Sequence, residues 1–484
     1  MRVLITGATG FVGRALVLRL LQRGDTVVVW TRDAEKARDL LGAEIQIASE
    51  AMGKDLAEEA AAADAVVNLA GANLFAGRWT ASRKRAIRES RVKTTRAVAR
   101  GLRDQARPQV LVSTSAVGFY GPSGDEVLDE SSPAGDDFLA SVCADWEAEA
   151  RAAEGSGNRV AILRFGVILG SDGGALAKMR IPFQLGIGGP LGDGDQWMSW
   201  IHLHDVIGMI TAALDEPGWS GVFNATAPDP VTNEQLSRAL ARALDRPCAL
   251  RAPSFAMKLA LGEASTVLLD GQRVVPKAAL DQGYAFLFPT LEEALHQTEG
   301  DQRAPEMRDA DGSFRPMSDR PPARHVLEQE TIVPAPMDEV FPFFSRAPNL
   351  GLLTPEFTGF HIIEHPPGDT VAGSEIAYTI ALGGVPMKWR TLIAEFVPGE
   401  GFVDTQLKGP YALWWHEHRF EALDGDRVRM VDRVHYTLPL GPLGRLVHRM
   451  VVGPMLRRIF SWRTEAVALR FTPRLEIRAR REVA

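Results

Sequence analysis

Cysteine is nearly absent: Cys143 and Cys248 are the only thiols in 484 residues. Two thiols are too few for a disulfide framework and fit the reducing cytoplasm, which is the expected location. No uninterrupted apolar run reaches about 18 residues, so no membrane span is expected. No stretch concentrates Lys and Arg, and the formal net charge is −7, which argues against a nucleic-acid partner. The N-terminus, MRVLITGATG, has no charged region leading into an apolar one, so no signal peptide is expected. No metal site is expected either. Tyrosine is sparse: Tyr120, Tyr284, Tyr378, Tyr411 and Tyr436 are all there are, and none has a Lys four residues later.

What remains is the composition of an ordinary soluble globular chain, with 45% apolar and 24% charged residues, long enough for two to four domains. From residue 1 to about 170, short apolar runs alternate with helical patterns. Arg2–Thr6, Thr26–Trp30, Ala65–Leu69, Gln109–Ser113 and Val160–Phe165 read as strands. Phe11–Arg23 and Ser82–Arg103 have helical spacing. This alternation predicts βαβ units, hence an α/β, doubly wound parallel sheet. Further helical patterns follow at Leu203–Leu214, Asn233–Ala243 and Phe255–Leu261. Residues 299–324 are rich in Asp, Arg and Pro without apolar periodicity, which predicts a linker, with a charged surface loop as the alternative. Beyond it, HVLEQETIVPAP, GSEIAYTIAL, MKWRTLIAEFV, FVDTQL, WWHEHRFEAL and RVRMVDRVHYTL read as strands and Leu440–Phe471 as one long helix. That pattern predicts a separate α+β domain over residues 325–475. The closing helix carries Arg445, Arg449, Arg457, Arg458 and Arg463, read as a wet face beside a packed one.

LITGATGFVG, residues 4–13, places Gly7, Gly10 and Gly13 between a strand and a helix. The first glycine permits a tight turn, the next lets backbone approach a pyrophosphate, and the third lets helix pack on strand. The helix N-terminus then stabilises phosphate charge. Thr9, Phe11 and Val12 belong to the same predicted cofactor loop. The second strand ends in Trp30, Thr31 and Arg32, with no acid at the position expected to hold an NAD ribose. An Arg there suits a 2′-phosphate by charge and fork geometry, so NADP(H) is the expected cofactor, with Thr31 and Arg32 beside it. Asp33 lies two residues from the acid position and keeps NAD in view. Leu69, Ala70 and Gly71 form a small-residue turn over which a dinucleotide can pass.

GATGFVG, NLAGA, STSAVGFYG and RFGVILG, in this order, resemble the extended, epimerase-like branch of the short-chain dehydrogenase/reductase superfamily. GRWTASRKRAIRESRVKTTR, GGPLGDGDQWMSWIHLHD and LLDGQRVVPKAALDQGYAF narrow the resemblance to an atypical subgroup of that superfamily. It covers residues 1–298, with 248–298 similar to the subgroup's own C-terminal extension. The resemblance implies a Rossmann-type fold, NADP(H) binding that also involves Ser113, Arg164, Gly166 and Val167, and a small-molecule substrate it does not identify. Extended relatives often dimerise through a helix pair, so a homodimer is expected by analogy alone. VPAPMDEVFPFFSRAPNLGLLTP, residues 333–355, resembles the START-like, polyketide-cyclase superfamily (SRPBCC), a helix-grip fold. That resemblance implies an apolar ligand, with Trp389, Trp414, Trp415, Phe420 and Phe460 as candidate lining.

In the superfamily a Tyr acts as acid and base, and a Lys four residues later lowers its pKa. Extended members carry a Glu eight residues after the Tyr. Anchoring on Glu147 of ADWEAEA puts Leu139 in the Tyr position and Cys143 in the Lys position. Ser115 and Tyr120 are the substitute candidates. Without a Lys, Tyr120 should stay near a pKa of about 10 and act as a hydrogen-bond donor. The apolar flank LASVCA predicts an inert thiol at Cys143, and packing and capping are expected of His202 and His204. Three functions follow: an NADP(H)-dependent epimerase-like oxidoreductase with a nonstandard proton donor, a non-catalytic NADP(H)-binding redox sensor with a lipid-like ligand carrier, or an enzyme to which the second domain delivers an apolar substrate.

Overall fold

Five short runs of Val, Leu and Ile, with two strands the periodicity did not single out, build the first sheet. The computed structural model describes residues 1–471 apart from 104, 106, 156, 172, 300–304, 383–384, 425 and 440; the last residues of the expected second domain, 472–475, lie outside the described residues. The chain divides into two compact units. One comprises Met1–Leu16, Gly24–Ala34 and Gln46–Gly300, and the other Val17–Arg23, Glu35–Ile45 and Asp301–Ala484.

Among the described residues, the main sheet of the first unit has seven strands: β1 (Arg2–Thr6), β2 (Thr26–Trp30), β3 (Gln46–Ala48), β4 (Ala65–Asn68), β5 (Val110–Ala116), β6 (Arg159–Phe165) and β7 (Gly221–Ala225). They lie in the order β7-β6-β5-β4-β1-β2-β3, and every pairing is parallel. The order reverses between β1 and β4, which leaves a crevice at their carboxyl ends. The main helices are α1 (Phe11–Gln22), of which Phe11–Leu16 fall in this unit, α2 (Ala81–Arg103), α3 (Phe138–Arg151) and α4 (Leu203–Asp215). Val98 and Leu102 of α2 and Ala150 of α3 pack on Leu4, Val66 and Leu111 of the sheet. Because helices cover a parallel sheet, its strands read as continuous apolar runs rather than alternating ones. Asp137 caps α3, its Oδ1 accepting from the Ala140 N–H at 2.7 Å. His202 caps α4, its Nδ1 accepting from the His204 N–H at 3.2 Å, so capping describes that histidine.

The second unit is an eight-stranded antiparallel sheet: β8 (Glu306–Asp309), β9 (His325–Val333), β10 (His361–Glu364), β11 (Glu375–Leu382), β12 (Val385–Val397), β13 (Gly401–Lys408), β14 (Leu413–Leu423) and β15 (Arg427–Thr437). The order is β8-β9-β15-β14-β13-β12-β11-β10. Its main helices are α5 (Met337–Ser345), α6 (Gly441–Val447) and α7 (Gly453–Phe471). Leu456 and Phe460 of α7 pack with Leu327, Trp389, Tyr411 and Tyr436 against the sheet, the arrangement of a helix-grip fold. Trp389, Trp414 and Phe460 belong to this packed core. Phe420 packs instead on Phe341 and Phe344, at centroid distances of 5.4 and 5.5 Å. Strand alternation turns Trp415 to the face opposite Trp414.

Three expectations are revised here. The stretch read as a linker contributes β8, which pairs with β9, and Phe314 stacks on His435 at 3.8 Å. A four-residue edge strand with charged side chains facing water shows no apolar alternation. The single closing helix is two helices separated by a π-helical turn at His448–Val452, just ahead of Pro454, whose missing N–H breaks the regular ladder. Arg463, read with the wet face, is buried and paired with Asp432 at 2.9 Å.

His448 of the π turn shares a hydrogen bond of 2.7 Å between its Nε2 and the Tyr436 hydroxyl and stacks on His325 at 3.8 Å. Burial first, and then the neighbouring His325, push its pKa down to about 4. The unfolded chain, with an ordinary histidine at about 6.5, therefore takes up a proton that the folded chain refuses. This contribution to stability is complete above pH 6.5 and is lost as pH falls toward 4. Urea unfolding of the full chain across that window should show the loss, and His448→Gln should flatten it. An unchanged pH slope in the variant would reject the assignment.

Candidate active site at the strand ends

A cleft of about 440 Å³ opens at the carboxyl ends of the central strands of the first unit. Gly7, Gly10, Phe11, Val12 and Gly13 form one wall, and Leu69 and Gly71 continue it. Gly7 sits at φ 72°, and a Cβ there would lie 2.7 Å from the Leu69 carbonyl oxygen. A Cβ on Gly13 would lie 2.5 Å from the Gly7 carbonyl oxygen. No side chain fits either position, so backbone and the start of α1 face the cleft directly. Thr9 and Ala70 belong to the same two turns but do not line the cleft. Phe11 fills a hollow left by small residues: a Cβ on Gly170 or Gly173 would lie 2.6 Å from its ring.

Thr31 and Arg32 stand outside this cleft. The Thr31 hydroxyl accepts from the Asp33 N–H at 3.1 Å, and Arg32 is exposed. Gly166 and Val167 do line it, beyond the end of β6.

Beneath the floor runs a buried polar chain. The Ser115 hydroxyl donates to Glu147 Oε1 at 2.8 Å. Arg164 donates through Nε to the same oxygen at 2.8 Å and through Nη2 to Oε2 at 2.9 Å, a bidentate pair. Arg164 Nη1 also donates to the Tyr120 hydroxyl at 2.8 Å, and that hydroxyl donates to Asn224 Oδ1 at 2.7 Å. Asn224 is fixed in turn by Glu130, which accepts its backbone N–H at 2.8 Å. Only Ser115 of this chain lines the cleft. Arg164, expected at the cofactor, points the other way, because strand alternation aims it at α3 and Glu147. Tyr120, expected at the substrate, has its hydroxyl committed at both ends. Burial raises its pKa against the pull of Arg164, so it is no base at neutral pH. Ser113, two residues before Ser115 on the same face, is sealed beneath Asn68, whose Nδ2 donates to it at 3.4 Å.

Helix α3 presents Leu139 and Cys143 to the cleft. Burial pushes the Cys143 thiol up to about 11, so it stays protonated and inert at neutral pH.

Residues 3–225 match the NAD-dependent epimerase/dehydratase family. The chloroplastic epimerase family protein SDR39U1 homolog of Arabidopsis thaliana is 44% identical over 302 residues, which cover 61% of this chain and 86% of that protein. This chain belongs to the epimerase family. The family protein YfhF of Bacillus subtilis is 39% identical over 305 residues, 63% of this chain and 99% of its own. The crystal structure of the human epimerase family protein SDR39U1 with NADPH matches at 35% identity and a TM-score of 0.56, covering 62% of this chain and 100% of that one. Residues 252–298 match a domain of unknown function, and 333–468 match the polyketide cyclase/dehydrase and lipid transport family. The second match joins an SRPBCC domain to the epimerase-family unit. Among the described residues, no helix is long and apolar enough to cross a membrane.

Several residues of this epimerase-family cleft were not singled out from sequence. Arg91 of α2 lines it, donating to the carbonyls of Ala72 at 3.2 Å and Ile87 at 3.1 Å, and burial lowers its pKa. Its spacing of four from the buried Ile87 was the available signal. Asp137 was legible as an acid just ahead of a helical run. Trp197, Asp270 and Gln272 close the far side. Asp270 and Gln272 belong to the C-terminal extension, and burial raises the pKa of Asp270.

Proposed function

We propose that the first unit binds NADP(H) and acts as an epimerase-like oxidoreductase on a small-molecule substrate, without a Tyr-Lys pair. The observation that carries this is the pairing of a glycine-walled cleft with an α3 that offers it Leu139 and Cys143. The human relative's NADPH supports the cofactor. Gly7, Gly10 and Gly13 with the start of α1 would hold the pyrophosphate, Leu69, Ala70 and Gly71 its passage over β4, and Gly166 and Val167 the far end. Thr31 and Arg32 would face the 2′-phosphate.

The cofactor supplies or takes a hydride when bound. A protein group must then move a proton at the reacting oxygen. The Ser115 hydrogen is aimed at Glu147, so its oxygen is left to accept from a substrate hydroxyl. A proton relayed through Ser115 would end on Glu147, whose two oxygens already accept from Arg164, so turnover should be slow. Tyr120 acts in this scheme as a positioning residue through Arg164. The same commitment of the Ser115 hydrogen favours a second reading, in which the unit binds NADP(H) as a redox sensor and turns nothing over. The C-terminal unit would take an apolar small molecule in either case.

The test is NADPH fluorescence with the purified full chain, followed by absorbance with a panel of carbonyl compounds and sugar nucleotides. Turnover that falls in a Ser115→Ala, Tyr120→Phe variant supports the enzyme. Tight binding without turnover supports the sensor, and failure to bind NADPH rejects both. Arg32→Ala should raise the Kd for NADPH about 10- to 100-fold, the worth of a charge-assisted contact, and leave NADH binding unchanged. Equal effects on the two cofactors would remove Arg32 from the 2′-phosphate. Native mass spectrometry of the expressed chain reads out any apolar ligand.

A further inference from the structure

In the second unit, β14 turns His416 and His418 to the same face, two residues apart. The neighbouring strands place an aspartate opposite each: Asp404 of β13 pairs with His416, and Asp432 of β15 with His418. Asp404 Oδ2 lies 3.1 Å from His416 Nδ1 and 3.1 Å from His418 Nε2. Asp432 Oδ1 lies 2.7 Å from His418 Nδ1 and 3.3 Å from His416 Nε2. Each imidazole therefore spans the two carboxylates, one nitrogen on each. Arg463 of α7 holds Asp432 at 2.9 Å, and its Nη2 donates to His418 Nδ1 at 3.2 Å.

A neutral imidazole carries one hydrogen. Asp432 is the anchored carboxylate, fixed by Arg463, and it faces both rings. His418 Nε2 lies in hydrogen-bond geometry with Asp404 Oδ2, and Arg463 donates to His418 Nδ1; a cation would take the place of that ring hydrogen once both ring hydrogens turn to Asp432, leaving His416 Nδ1 and His418 Nε2 with lone pairs toward Asp404 Oδ2. Three electron-pair donors then converge, and they lie within 4.8 Å of one another. Such convergence is repulsive unless a cation lies between them. Tetrahedral coordination at about 2.1 Å sets donor atoms roughly 3.4 Å apart, near the two carboxylate–nitrogen spacings of 3.1 Å.

We propose that Asp404, His416 and His418 bind a divalent transition-metal ion, with Asp432 as the carboxylate that orients both histidines. Two imidazoles and one carboxylate are the donor set of sites for zinc or non-haem iron(II) that keep an open coordination position. The Asp432–histidine contacts are the outer shell such sites use to fix ring orientation and tautomer. Packing reinforces the geometry: Phe402 stacks on His418 at 4.1 Å, and Phe460 meets His416 edge-on at 5.7 Å. None of its residues lines the cofactor cleft.

The test uses untagged full-length chain, stripped with chelator and reloaded with Zn(II) or Co(II). About one equivalent should remain after gel filtration, with visible Co(II) bands that Zn(II) bleaches. His416→Ala with His418→Ala should abolish both signals, with far-UV circular dichroism reporting whether the variant folds. Asp432→Asn should weaken Zn(II) binding about 10- to 100-fold. The wild-type arm needs no variant: Zn(II) should raise its Tm, and chelator should reverse the rise. Wild-type chain that retains less than about a tenth of an equivalent, against the near-stoichiometric loading a built site requires, overturns the proposal. So does a Co(II) spectrum unchanged in a folded double variant. Either result leaves the cluster a protonated ion-pair network.

Discussion

Glu147→Ala should destabilise the first unit by about 3–5 kcal/mol, the usual consequence of leaving one partner of a buried ion pair behind. Arg164 is 3% exposed, and its guanidinium makes both of its carboxylate contacts to this one residue. With Glu147 gone, a buried cation is left with the Tyr120 hydroxyl and ring and the face of Phe119, 3.4 Å away. The Ser115 hydroxyl loses its acceptor at the same time. Glu147→Gln keeps the oxygen without the charge and should lie between wild type and Ala. The discriminating variant is Glu147→Ala with Arg164→Met, which removes both charges together and should recover much of the loss. Thermal unfolding of these three variants and of Arg164→Met alone measures this. If the double variant is as unstable as the sum of two singles, the pair is not the source.

Gly13→Val should abolish measurable NADPH binding, a rise in Kd of more than about 100-fold, or about 2.7 kcal/mol. Its first carbon would stand 2.5 Å from the Gly7 carbonyl oxygen and 2.6 Å from the Ala8 Cα, so the loop must open and the start of α1 must shift. Gly24→Ala is the control. It sits at φ 74° with nothing within 4 Å of a new Cβ, so it should carry backbone strain of about 1–2 kcal/mol and leave cofactor affinity alone. Fluorescence titration with NADPH reads both. Equal loss of affinity in the two variants would mean that general destabilisation, not the shape of the loop, governs binding.

The parts legible in the sequence were those encoded locally. A glycine triplet between strand and helix, apolar runs alternating with helical spacing, and the register of Leu139 and Cys143 against Glu147 all lie within short windows. The parts that were not legible depend on residues brought together by the fold. Arg164 lies in a segment that points to the cofactor, yet which face of β6 it occupies is set by its partner on α3, 17 residues earlier. Tyr120 is tied to Asn224, 104 residues away, and no spacing rule reports such a bond. His416 and His418 show their alternation openly in WWHEHRF, but their aspartates come from flanking strands and their outer arginine from a helix that reads as amphipathic. Charge alone made Arg463 look wet; the carboxylate waiting beneath it made it buried. The polar strand β8 was hidden for the opposite reason, since an edge facing water needs no apolar stripe.

That strand also decides where the chain can be cut. β9 has β15 on one side and β8 on the other. A fragment begun at residue 325, where the strand pattern starts, would strip β8 away and bare the backbone donors and acceptors of His325 through Glu328, along a strand carrying Val326 and Leu327. Such an open edge invites another chain to pair with it and the preparation to aggregate. A fragment begun ahead of residue 306 keeps its own guard strand.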